Sequence, residues 1–154
     1  MMLIEETAPP TEALPVAALR DHVRLGSGFE MVDDPAETAA LAGFLRAAMA
    51  AIEGRTGKVL LTRRFRMQLD EWRDRMAQPL PLAPVISVES IEIDDGTGMA
   101  TALLADGWYL RQDSQRPMIL PVGVILPAIP RRGFVTIRFT AGFGAEWSAV
   151  PGDL

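Results

Sequence analysis

The chain has no cysteine, one histidine and one tyrosine in 154 residues. Without cysteine there is no disulfide, no thiol nucleophile and no Cys-ligated zinc or iron–sulfur cluster. The lone histidine, His22, excludes His-rich metal sites and leaves a catalytic triad no second candidate base. Between Asp21 and Val23 it reads as a surface or satisfied residue. A basic excess is also missing: 15 Lys+Arg face 20 Asp+Glu, for a net charge of −5. That argues against a general nucleic-acid binder. No long apolar run exists. The longest uncharged stretch, residues 117–130, is shorter than the roughly 20 residues a membrane-spanning helix needs, and it holds four prolines. The N-terminus has neither the basic start nor the apolar run of a signal peptide. The expectation is a cytoplasmic protein, or one packed into something assembled there.

What is present is a hydrophobic fraction of 49%, too high for extensive disorder. A chain of about 150 residues buries roughly 68–70% of its unfolded surface, so one domain can form a core without staples. The acidity sits in the first third. Residues 1–57 carry 9 acids and 4 bases, whereas 58–154 carry 11 of each.

Four stretches differ in pattern. Residues 1–13, with Pro9-Pro10 and three Glu, have no apolar period and read as a flexible arm. Residues 14–57 are helical. A short helix is expected over 15–25, with Val16, Leu19 and Val23 on one stripe and Gly26 as its stop. A loop over 26–33 follows. A long helix then starts at Asp34, with Pro35 in the first position and Glu37 completing a capping-box-like start. Its expected core stripe is Leu41, Phe44, Leu45, Ala48 and Ile52, and Gly57 ends it. Residues 58–146 turn to period 2. Over 59–69, Val59, Leu61, Phe65, Met67 and Leu69 point one way. Thr62, Arg64, Arg66 and Gln68 point the other, and Arg63 interrupts the apolar face. Further short strands are expected over 86–93, 100–105, 108–112, 117–120 and 134–141, giving a β-rich insertion of about five to six. Residues 147–154 read as the start of a further helix, with Pro151 before an acid. Helices segregated from strands make an α+β fold.

The chemistry is sparse. Gly54-Arg55-Thr56-Gly57-Lys58 lacks the first glycine and the Ser/Thr of a phosphate loop and follows a helix, so it reads as a helix end. The paired acids Asp33-Asp34 and Asp94-Asp95 sit in loops and turns. No catalytic, cofactor-binding or metal-binding set emerges. The one basic cluster is Arg63, Arg64 and Arg66 with Arg73 and Arg75, interleaved with Asp70, Glu71 and Asp74. It is either a solvated sheet face or a contact for phosphate or an acidic neighbour. Trp72, Trp108 and Trp147 are either interface anchors or half-buried core. Candidate interface residues are Arg63, Arg64, Arg66, Trp72 and Trp147.

A series of local signatures carries more than any one of them. It begins with Leu19-Arg20-Asp21-His22-Val23-Arg24-Leu25 and the helix-starting Asp33-Asp34. It continues with Ala50-Ala51-Ile52-Glu53-Gly54-Arg55-Thr56-Gly57-Lys58, then Leu80-Pro81-Leu82-Ala83-Pro84-Val85 and the turn at 95–98. It closes with Tyr109, Thr140-Ala141-Gly142-Phe143-Gly144 and Val150-Pro151. In order and spacing this series resembles the head–tail connector (adaptor) family of long-tailed bacteriophages, in its gene transfer agent version. The resemblance covers about residues 14–154. It implies a structural protein without catalysis or cofactor, and a small helical bundle with a β-rich insertion. It also implies a ring, commonly twelvefold, that binds beneath the portal ring and meets tail-side stopper or terminator proteins. DNA passes through the lumen without sequence-specific binding, and no membrane is involved. In the family a long helix follows Val150-Pro151 and packs on the first two. Here it is missing, so the expectation is exposed apolar surface on the helices, or cover from a neighbouring subunit. Two other readings stand beside this one: a β-rich small-ligand or accessory enzyme domain, and a DNA-binding module using the arginine cluster.

Overall fold

The computed structural model describes residues 1–23 and 34–152. Two α-helices and eight strands follow one another along these residues. Strand β1 (Met2–Glu5) comes first, then a 3-10 turn over Thr11–Ala13 and helix α1 (Val16–His22). Helix α2 (Pro35–Thr56) follows the signals read from sequence. The Asp34 carboxylate accepts the Ala36 amide at 2.9 Å, Pro35 opens the helix, and Gly57 closes it at φ 67° with its N–H on the Glu53 carbonyl. The expected stop of α1 at Gly26 and the loop over 26–33 lie outside the described residues.

The remaining strands are β2 (Arg63–Leu69), β3 (Gln78–Pro79), β4 (Val85–Asp94), β5 (Ala100–Ala102), β6 (Trp108–Arg111), β7 (Met118–Pro121) and β8 (Phe134–Ala141). They form two antiparallel sheets. One has five strands in the order β1-β2-β8-β4-β5, the other three in the order β3-β7-β6. The fold is α+β. The alternation read over 134–141 is seen in β8, where Val135, Ile137, Phe139 and Ala141 are buried. In β2, Arg63, Phe65, Met67 and Leu69 face inward.

Two core clusters organise the chain. The first joins the inward side of the large sheet (Phe65, Met67, Ile91, Val135, Ile137, Phe139) to Ile119 of β7 and to Trp72, Leu80 and Leu126. Phe65 and Phe139, opposite each other in register, stack with ring centroids 5.7 Å apart. The second holds the helices onto the sheet through Leu14, Ala42, Met49, Leu60 and Leu61, with Leu45, Ile52, Trp147 and Val150 packed against them.

Two features differ from the sequence reading. Residues 1–13, read as an arm, contain β1, which pairs along its length with Phe65 to Gln68 of β2. The buried side of α2 is centred on Leu41, Ala42 and Met49, while Phe44 is 69% exposed and Ala48 is exposed. The helix is rotated away from the expected stripe because it rests on Leu60 and Leu61 from one side only, and Arg46 is drawn to the Pro9 carbonyl and the Thr11 hydroxyl. Phe44 is thereby left as exposed apolar surface on the helix. Residues 147–149 form a single 3-10 turn, and the helix start read from Pro151 and the acid after it runs outside the described residues.

Candidate assembly surfaces

The arginine cluster divides by strand alternation. Arg63 faces inward and its side chain is only 8% exposed. Its guanidinium donates to Glu5 of β1 at 2.9 Å and to Glu53 of α2 at 2.5 Å, and lies over the Phe65 ring at 5.5 Å. The other Glu53 oxygen accepts the Leu60 amide at 2.8 Å. Arg63 is thus an internal clamp between β1, β2 and α2 and not a surface contact of this fold. A buried cation is held only where partners neutralise it, and here two carboxylates do so.

Arg64 and Arg66 face outward. Arg66 lies directly across from Arg138 of β8, a pairing that repels unless something intervenes. One Glu6 oxygen sits 3.7 Å from Arg66 Nε and 3.8 Å from Arg138 Nε, and Arg138 donates to Glu92 at 2.9 Å. The outer sheet face therefore carries a balanced strip of charge from β1 across to β4. Arg64, exposed at the end of this strip, lies opposite Thr140, whose hydroxyl donates to Glu89 at 2.6 Å.

The candidate tryptophans are packed. Trp72 is buried in the first cluster and its Nε1 donates to the Pro127 carbonyl at 2.7 Å. Trp147 is half-buried against the second cluster. Lys58 is buried as well, with its ammonium on the Ser114 carbonyl. That contact ties the loop over 113–116 to the start of the β region. Asp113 shapes the same loop. The Arg116 and Gln115 amides donate to its carboxylate, and the Arg111 and Lys58 charges add to their effect, which holds its pKa below the usual carboxylate range. Asp95 is lowered in the same way, chiefly by the Thr97 hydroxyl and amide.

Sequence reasoning missed one surface. The segment 122–126 is pinned at both ends. The Val122 amide donates to the Gly107 carbonyl at 3.0 Å, and the Leu126 amide to Arg75 O at 2.8 Å. The Arg75 guanidinium returns two bonds to the Leu126 carbonyl, at 2.9 and 2.7 Å. Between these anchors Val122, Val124 and Ile125 are 63%, 82% and 46% exposed. Leu104, whose carbonyl accepts the Gly107 amide, is 77% exposed. The signal was the apolar run 122–126 inside an otherwise proline-marked loop.

Two of the surface concavities have polar side chains in their lining that bear on ligand binding. A groove of about 750 Å³ runs between α1 and α2, lined by Val16, Ala17, Ala39, Ala42 and Gly43 together with Arg20 and Arg46. Arg20 is engaged there with Glu37 and Thr38. A cleft of about 720 Å³ is lined by Arg73, Asp74, Gln115 and Arg116, all of them exposed. Polar groups of that kind are solvated and do not converge as they would in an enclosed ligand site. Among the described residues no group of three acids or histidines is placed to hold a metal, and no helix is long and apolar enough to cross a membrane.

No protein-family model matches the chain, and no curated protein matches it. Solved structures do. The chain resembles one from the neck of an empty gene transfer agent particle computed with C6 symmetry, with a TM-score of 0.91 and 54% identity over 99% of this chain and 77% of that one. It resembles a chain in the virion of a native gene transfer agent particle, with a TM-score of 0.88 and 52% identity over 99% and 77%. A chain from the neck of a native particle computed with C12 symmetry gives a TM-score of 0.86 and 50% identity over 100% and 76%.

Proposed function

The chain belongs to the neck proteins of gene transfer agent particles, the gene transfer agent version of the head–tail connector family, and on that premise we propose that it forms the adaptor ring joining the DNA-filled head to the tail. It is a structural particle component and not an enzyme, so the accessory-enzyme reading is set aside. The observation that carries the adaptor reading is similarity along nearly the whole chain to neck chains at 50% identity or more. The necks of those relatives were computed with sixfold and twelvefold rotational symmetry, which supports a ring of this chain as well. In this role the chain assembles in the bacterial cytoplasm. It binds beneath the portal ring on one side and meets tail-side stopper or terminator proteins on the other. DNA passes through the lumen without sequence-specific binding, in keeping with the net charge of −5.

Of the candidate arginines, Arg64 is exposed and Arg66 half-exposed, and we place them toward an acidic neighbour in the ring. Electron microscopy of the protein mixed with its cognate portal ring tests the adaptor reading. An added ring layer below the portal is the expected result, and bare portal rings at saturating protein would overturn it.

A further inference from the structure

We infer that the Arg131–Arg132 turn of one copy docks in an acidic cleft walled by Trp147 on the next copy around the ring, where residues 10–15 meet residues 145–148. The inference rests on the ring reading above and commits to a second copy of this chain as the occupant. The turn is the first observation. It closes with the Gly133 amide on the Pro130 carbonyl at 2.8 Å. Arg132 takes φ 71° there, in the left-handed region that suits glycine and strains a side chain. The turn is also buttressed, since the Arg132 carbonyl lies 2.7 Å from where a Cβ on Gly96 would stand. Both arginines are exposed, and neither guanidinium has a hydrogen bond or ion pair among the described residues. The acids of the turn behind them are occupied. Asp94 accepts the Gly96 amide, and Asp95 the Thr97 amide and hydroxyl. An arginine held at a strained position without a partner in its own subunit is placed for a contact outside it.

The second observation is a surface of the opposite chemistry. A cleft of about 490 Å³ has Glu12 and Glu146 in its lining. Both are exposed, and neither carboxylate has a partner among the described residues. The half-buried Trp147 and the buried Leu14 give the cleft an apolar wall fixed to the second core cluster. Two carboxylates beside an indole suit a guanidinium, which pairs with the acids and stacks on the ring.

The third observation is where the two stand. The turn immediately precedes β8 and the cleft follows it, so Phe134–Ala141 holds them roughly 25 Å apart at about 3.3 Å per residue. They cannot meet inside one subunit. A ring needs two unlike, matching surfaces on each subunit, because its contacts run head to tail. A cationic turn and an acidic cleft at opposite ends of one central strand meet that need, and their charges fix which end meets which.

Reciprocal charge reversal tests the contact, read as the protein concentration that saturates the cognate portal ring. Arg131→Glu with Arg132→Glu and, separately, Glu12→Arg with Glu146→Arg are each expected to raise that concentration roughly tenfold or more. All four changes in one chain are expected to restore most of the loss, because the charges are exchanged and not removed. The Tm of the isolated subunit should stay close to wild type throughout, since all four groups are exposed. No loss from either pair, or losses without recovery in the combined chain, overturn the contact while the wild-type layer keeps the ring reading. Loss from the arginine pair alone would mean a different acidic neighbour. Loss from the glutamate pair alone would mean a different occupant of the cleft, such as a further segment of the same chain. Either result overturns the proposal. A wild-type chain that adds no layer fails the ring reading, and the contact with it. Arg132→Gly supplies a second route. It relieves the strained φ, so the Tm is expected to hold or rise while assembly weakens. Unchanged assembly with this variant would overturn the proposal.

Discussion

Arg63 is the residue on which most of the local order converges. Replacing it with Met removes one cation and leaves Glu5 and Glu53 without their common partner. Breaking a buried pair by deleting one member costs about 3 kcal/mol or more, although the 39% exposure of Glu5 keeps the loss toward the lower end. Urea unfolding of Arg63→Met should show this, with the midpoint moved and the slope unchanged. Arg64→Glu is the contrasting change. Fold stability should shift by no more than about 0.5 kcal/mol, because the side chain is exposed. Ring assembly should weaken with an acidic neighbour beside it, measured as the concentration needed to saturate the portal. Asp113 gives a pH prediction. Its folded pKa is lowered, so its contribution is complete above the ordinary carboxylate value of about 3.9 and is lost as pH falls through the lower folded value. The amides of Gln115 and Arg116 should stay protected at pH 5 and become labile only below about pH 4, as read by hydrogen exchange. At this scale the sequence was half legible. Period-2 alternation already put Arg63 on the apolar face. Its partners stand 58 and 10 residues away, and no local pattern connects them.

Among the elements, α2 was readable end to end because its signals are local: Asp34, Pro35 and Gly57 act within a turn of where they stand. Strand β8 was readable because both of its neighbours bury the same face. Strand β1 was not. Four residues, Met-Leu-Ile-Glu, carry too short a pattern, and only pairing with β2 makes them a strand. The face of α2 was misjudged for a related reason. Periodicity gives an apolar arc, but which part of that arc is covered depends on Leu60 and Leu61, which follow the helix. The joint between β8 and the segment before β2 offers a sharp test. Gly142 sits at φ 137°, and a Cβ there would come within 2.8 Å of Leu61 and Thr62 backbone atoms. Gly142→Ala should destabilise the protein by about 2 kcal/mol or more, through strain at both positions. Thermal unfolding measures it.

For the whole molecule, the two core clusters make the helical part and the sheets one body joined at residues 58–62, with no charged residue exposed at the joint. The candidate assembly surfaces were the least legible part. A surface is defined by what it lacks inside the subunit, and the exposed loop tip looks from sequence like any proline-bounded apolar run. Deleting residues 1–6 should expose the open edge of β2 and free Arg66 and Arg138 from Glu6. Concentration-dependent self-association on size-exclusion chromatography is the expected outcome, since an unpaired strand edge recruits another chain. The Arg63 clamp also has a mechanical side. A pull on the N-terminus can unzip Met2, Leu3 and Ile4 rung by rung, but it then meets Glu5, whose carboxylate is riveted to a guanidinium anchored on the helix. From that rung on, the load passes from the strand into α2, and the two yield as one member.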